Sequence, residues 1–247
     1  MVTPIVEFKN VNLFYSNYHA LVDINEKIYK EDCVVICGPS GSGKSSLLRC
    51  VNGLEKFQTG DILVNGVSVK DCPNLYELRS KVGLVFQRFE LYPHMTCLSN
   101  ITLALRKALK QDRKTAEKLA NETMEKFNVL KQAAKYPAQL SGGQQQRIAI
   151  CRSLVLKPDV MMFDEPTSAL DPEMIGDVLE VLLGLVQDGM TMLIVTHEMQ
   201  FAKEVANKII FMEKGKIVDR GTKEKFFKNN TNPRTQAFLN KVFRDKA

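Results

Sequence analysis

The sequence predicts an α/β fold, and three observations predict it. The apolar run Cys33-Val34-Val35-Ile36-Cys37 leads straight into Gly38-Pro39-Ser40-Gly41-Ser42-Gly43-Lys44-Ser45. That octapeptide has the G-x-x-x-x-G-K-S spacing of a phosphate-binding loop set between a strand and a helix. Residues 160–163 and 192–195 are further short, unbroken apolar runs, the pattern of strands buried on both faces of a parallel sheet. Residues 5–8, 13–15 and 24–28 instead alternate or carry β-branched side chains, as strands with one wet face do. The expected architecture is a P-loop NTPase core on a mixed or parallel sheet. An N-terminal antiparallel β subdomain and an inserted α-helical subdomain complete it.

The elements follow in order. After the phosphate loop, residues 45–51 open a helix. Residues 60–67 read as a strand entering an Asn65-Gly66 hairpin turn, and residues 82–86 as a short apolar strand ending at Gln87. From about residue 98 to residue 135 β signals fade. Ala116, Leu119, Ala120, Thr123, Met124 and Phe127 recur at helical spacing. Residues 90–146 are therefore assigned to the helical subdomain, and 1–89 with 147–247 to the core and β subdomain. Parallel-sheet character then returns, with a helix carrying Pro172 in its first turn between the two apolar runs. Residues 209–212 and 216–218 flank a Glu213-Lys214-Gly215 turn. The tail from Thr222 onward reads as helical, broken at Pro233.

Composition sets the outer limits. The 247 residues are 45% hydrophobic and 25% charged, enough for a large core and against global disorder. No apolar stretch approaches the roughly 18–20 residues of a membrane span. The first residues lack the basic and apolar regions of a signal peptide. Six cysteines, none in a C-x-x-C pair, read as small core hydrophobes in a reducing compartment. The net charge of +6 is scattered without a basic run, so nucleic acid is not an expected partner.

Three glycines let the loop backbone turn its N–H groups toward phosphate oxygens, and the following helix presents its positive end. Lys44 would reach the terminal phosphates and the Ser45 hydroxyl would sit on Mg²⁺. The run 160–163 ends in Asp164-Glu165. A strand-end Asp holds Mg²⁺ in phosphate-loop enzymes, and a carboxylate one residue further out can orient water and take its proton. Ser141-Gly142-Gly143-Gln144 begins another helix, with Ser141 as N-cap and two glycines baring the backbone: a second anion site.

With Leu140-Ser141-Gly142-Gly143-Gln144 between the phosphate loop and Asp164-Glu165, the chain resembles the ATP-binding cassette (ABC) ATPases over nearly its whole length. The resemblance implies ATP and Mg²⁺ as cofactors. It also implies a head-to-tail dimer of two copies, in which each signature segment contacts the γ-phosphate held by the other copy's phosphate loop. Site residues carry over by position. Tyr15 resembles the aromatic that stacks on adenine. Gln87 resembles the Gln that touches Mg²⁺ and the attacking water. Ser168-Ala169-Leu170-Asp171 resembles the loop that crosses the dimer interface, which assigns Asp171 to it. His197 resembles the switch histidine that contacts the γ-phosphate. Ser46 stands where many relatives have Thr, and Arg88 where an uncharged residue is common.

Within the family the chain is most similar to the ATPase subunits of bacterial polar amino acid importers, in residues 46–52, 85–96 and 189–199. The implied partners are transmembrane permease subunits and, indirectly, a substrate-binding protein. The implied place is the cytoplasmic face of the inner membrane. Two alternatives share the motifs: an ABC ATPase of a cell-division or lipoprotein-release complex, and a soluble ABC ATPase of DNA repair or translation.

Overall fold

The computed structural model describes residues 3–244. Two sheets organise it. Strands β1 (Val6–Tyr15), β2 (Tyr18–Ile28), β4 (Thr59–Val64) and β5 (Val67–Ser68) form an antiparallel sheet in the order β2-β1-β4-β5. The second sheet has the order β10-β9-β3-β8-β7-β6. Its members are β3 (Cys33–Cys37), β6 (Val82–Val85), β7 (Val160–Asp164), β8 (Thr191–Val195), β9 (Lys208–Glu213) and β10 (Lys216–Thr222). All its pairings are parallel except the β9–β10 hairpin at the edge. The P-loop NTPase fold with a mixed sheet is thus present, as the apolar runs predict.

Those runs are unbroken because the large sheet feeds two cores. Val34, Ile36, Val160, Met162, Leu193 and Val195 face the antiparallel sheet and α1 (Lys44–Val51). Their neighbours Val35, Cys37, Met161, Phe163, Met192 and Ile194 face the helices on the other side. Those helices include α3 (Cys97–Lys107), α4 (Arg113–Lys126), α5 (Gly142–Leu154), α6 (Pro172–Gln187) and α7 (Met199–Val205). Ile101, Ala116, Ala120 and Met124 belong to the same buried cluster as the sheet, so the helical segment shares the core rather than closing one of its own.

Three details depart from the sequence reading. The first thirty residues make two long strands rather than three short ones. Asn10 and Asp23 adopt φ of 48° and 49° at shifts in the β1–β2 register, which interrupts the alternation without ending the strands. Buried Asn12 holds this bulge: its Nδ2 donates to Asn10 O and Asp23 Oδ1, and its Oδ1 accepts from Asp23 N. A short helix α2 (Leu75–Lys81) was not expected, because only Leu78 is buried and no apolar period marks it. Its cap is legible, since Asn74 Oδ1 accepts from the amides of Tyr76 and Glu77. The tail is helical and divides at Pro233, as expected, into α8 (Lys223–Phe227) and α9 (Pro233–Arg244), the proline starting the second helix. Cys33, Cys37, Cys50, Cys97 and Cys151 are buried free thiols, whereas Cys72, expected as a core hydrophobe like the others, is only half-buried in the loop before α2. Burial pushes the thiols of Cys33, Cys37, Cys50 and Cys151 up to about 12, which leaves them inert.

A nucleotide site at the carboxyl ends of the strands

Strand register gathers the predicted residues at one edge of the large sheet. Ile36 pairs with Val195, Asp164 with Val195 and Val85 with Phe163. Continuing each strand brings Gly38, Gln87, Glu165 and His197 to the same carboxyl-end edge, where open α/β sheets bind ligands.

The phosphate loop bridges β3 and α1. Gly38 has φ of 142°, and a Cβ there would lie 2.0 Å from the Met212 carbonyl oxygen of β9. Gly43 has φ of 94°, and its Cβ would lie 2.6 Å from Ala20 O of β2. The loop is therefore wedged between both sheets, and only glycine fits at these two points. Tyr18 Oη donates to Gly41 O at 3.1 Å, and Gly215 N donates to Ser42 O at 3.3 Å, which brace the loop from outside. The N-terminus of α1 has no side-chain cap and no acidic residue in its first turn, so its N–H groups and dipole are unopposed. Lys44 is buried, and its Nζ donates to Gly38 O at 3.0 Å and Pro39 O at 2.9 Å. Burial lowers its pKa, against the pull of Glu165, Cys37 and Asp164.

Ser45 Oγ donates to Asp164 Oδ1 at 2.6 Å. A hydroxyl and a carboxylate are the hard oxygen donors that a small divalent cation takes. Asp164 is 2% exposed, and burial raises its carboxyl pKa. Glu165 turns away from the strand with φ of 49°, its N–H donating to Val195 O at 2.9 Å. His197 Nε2 lies 3.0 Å from Glu165 Oε1. That hydrogen bond holds Glu165 below the ordinary carboxylate range, against the effect of burial. Gln87 is exposed just beyond β6. Tyr15, 40% exposed at the end of β1, donates to Ser46 Oγ at 3.2 Å, so it is a surface aromatic and not a core one.

The signature segment stands on other elements. Ser141 caps α5 in a capping box: its Oγ accepts from Gln144 N at 3.4 Å, and Gln144 Oε1 accepts from Ser141 N at 3.3 Å. Gly142 packs toward Leu170, where a Cβ would lie 3.0 Å from Cδ2, and Gly143 toward Met174. Asp171 is the exposed N-cap residue of α6 and makes no side-chain cap bond. Among the described residues, no hydrogen bond joins Ser141, Gly142, Gly143 or Asp171 to the phosphate loop. The single chain thus carries two separate glycine-preceded or glycine-started helix N-termini, on α1 and α5.

Sequence reasoning missed Arg49, whose Nη2 lies 3.7 Å from Asp164 Oδ2. The signal was present: Arg49 is four residues after Ser45 on α1, hence on the same face.

A phosphate loop, a strand-end carboxylate pair and a capped glycine helix on this sheet define an ATP-binding cassette. The chain belongs to the ABC transporter family, whose pattern matches residues 21–168. Family members of this kind are ATPases, and this chain is one. It is 50% identical over 238 residues to the glutamate/aspartate import ATP-binding protein of Escherichia coli, covering 96% of this chain and 99% of that one. It is also 50% identical to the general L-amino acid transport ATP-binding protein of Rhizobium johnstonii, covering 96% of this chain and 93% of that one. Among solved structures, the dimeric post-hydrolysis state of an ATP-binding cassette bound to ADP and Pi is similar, with a TM-score of 0.79 and 33% identity. That match covers 88% of this chain and 98% of the other.

Proposed function

We propose that this chain is the ATP-hydrolysing subunit of an importer of polar amino acids, working as a head-to-tail pair at the cytoplasmic face of the cell membrane. The observation that carries the reading is the separation of the two anion sites. The uncapped α1 N-terminus and the Ser141–Gly143 helix start lie on different elements of one chain, which suits two copies sharing each nucleotide. The dimeric cassette bound to ADP and Pi supports that arrangement. The amino acid class rests on the relatives named above.

In this reading the backbone N–H groups of residues 38 and 40–46, with Lys44, grip the phosphates, and Tyr15 stacks on the base. Ser45 and Asp164, with Gln87, would hold Mg²⁺, which would neutralise phosphate charge, and Gln87 would also contact the attacking water. Glu165 orients water and accepts its proton, and His197 keeps Glu165 ionised and reaches the γ-phosphate. Ser141, Gly142, Gly143 and Gln144 close on the partner's nucleotide, with Asp171 at the interface. Residues 90–146 move as the helical unit.

No helix among the described residues is long and apolar enough to cross a membrane. A groove of about 1200 Å³, lined by Arg49, Arg79, Phe86, Tyr92 and Arg152 among others, is where we place the permease subunits, which a substrate-binding protein would serve in turn. Glu165→Gln tests the chemistry: hydrolysis collapses while ATP binding and ATP-dependent dimerisation persist, and near-normal turnover would refute it. Reconstitution with the membrane subunits that co-purify tests the transport. ATP-driven uptake of labelled glutamate, glutamine or aspartate is expected. Recovery of subunits with no uptake activity favours a non-import complex instead.

A further inference from the structure

The loop that carries Gln87 is tied down almost entirely by side chains. Residues 87–91 make no backbone–backbone hydrogen bond among the described residues. Arg152 of α5 donates from Nη1 to Glu90 O at 2.6 Å and from Nη2 to Phe89 O at 3.2 Å. Its guanidinium carbon also lies 6.0 Å from the centroid of the Tyr92 ring. Fully buried Asn100 of α3 takes the next residue, accepting from Tyr92 N at 2.8 Å and donating to Tyr92 O at 3.1 Å.

Glu90 has φ of 51°, in the left-handed region that a non-glycine residue adopts at a cost. Such a conformation persists where the surroundings hold it, and it points to a functional constraint. The shorter Arg152 bond lands on the carbonyl of that same residue. Burial lowers the pKa of Arg152, consistent with a guanidinium drawn out of water to make these bonds. The loop therefore has one end in β6 and the other pinned to α5, the helix that begins at the signature glycines. Arg152, Glu90 and Tyr92 also line the groove described above.

We propose that Arg152 is a positioning residue that pins the Gln87 loop to the signature helix, so that Gln87 is set in place by α5 as well as by the sheet. The inference rests on the proposed role of Gln87 at the reacting water.

The test compares the full chain with Arg152→Gln, Gln87→Ala and the double variant. In Arg152→Gln, kcat is expected to fall about tenfold with KM for ATP within about twofold. The double variant should be no slower than Gln87→Ala alone, because Arg152 acts through Gln87. Arg152→Lys, which keeps one charged donor, should recover part of the rate. An unchanged kcat in Arg152→Gln, or losses that multiply in the double variant, overturns the proposal. A normal rate in Gln87→Ala would remove the underlying role of Gln87 and the proposal with it, and is distinguishable from failure at Arg152 alone. The chain has no tryptophan, so Tyr92→Trp gives a single fluorescent reporter on the loop. Should Arg152→Gln not fold, acrylamide quenching of that reporter is expected to rise about twofold with Arg152→Lys. Unchanged quenching counts against the pin.

Discussion

Ser45 donates to Asp164 at 2.6 Å, joining the first residues of α1 to the end of β7 across 119 positions of sequence. The same carboxylate has Arg49 at 3.7 Å on its other oxygen. One buried group therefore faces both the phosphate loop and the groove wall. Asp164→Asn keeps the shape but loses the charge that a divalent cation needs. Its hydrolysis should fall by about 10² or more. ATP binding without Mg²⁺ should stay within about twofold of the parent, and the increment added by Mg²⁺ should disappear. Titration with a fluorescent ATP analogue, with and without Mg²⁺, checks this.

Gly38 is fixed by contact and conformation together. A methyl group there would lie 2.0 Å from a backbone carbonyl of β9, so Gly38→Ala must displace the β3–β9 pairing. A loss of roughly 2–3 kcal/mol is expected. Gly41 also has positive φ, but a Cβ there meets nothing within 4 Å. Gly41→Ala should cost only about 1 kcal/mol, from backbone strain alone. Urea midpoints of the two variants separate the effects.

Gln146 on α5 is 0% exposed, and both amide atoms lack a hydrogen-bond partner among the described residues. Such a group carries its desolvation cost without compensation. Gln146→Leu, of similar volume, should be stabilising by about 1 kcal/mol, whereas Gln146→Ala should be destabilising by about 2 kcal/mol through the cavity it leaves. A Leu variant less stable than the parent would show that the amide is satisfied in solution.

Arg234 of α9 chelates Glu213 of β9 through Nε and Nη2. The guanidinium holds Glu213 below its ordinary value of 4.5. A carboxyl lowered by folding stabilises fully above the unfolded value and loses that contribution as pH falls through the folded one. Arg234 is exposed and Glu213 half-buried at the surface, so the effect is small and salt-sensitive. Arg234→Gln should lower the melting temperature by a constant amount from pH 7 down to about 5, and the gap should close below 4.5. A gap that persists in acid would assign the effect to packing.

The sequence by itself determined the phosphate loop, the carboxylate pair, the capped signature helix and the parallel core. Each is written in contiguous residues: a glycine spacing, an unbroken apolar run such as 160–163, or a Ser141 cap followed three residues later by Gln144. Helix α2 escaped because its burial is confined to Leu78, and the β1–β2 bulge because its register depends on Asn12 reaching across to Asp23. Only the tertiary structure decided that Gly38 is pressed on Met212 and that Arg152 grips a left-handed Glu90. These contacts join residues up to 174 positions apart (Gly38 to Met212 among them). Such pairings follow from how strands order in the sheet and which helices cover it, and no local period or spacing encodes that.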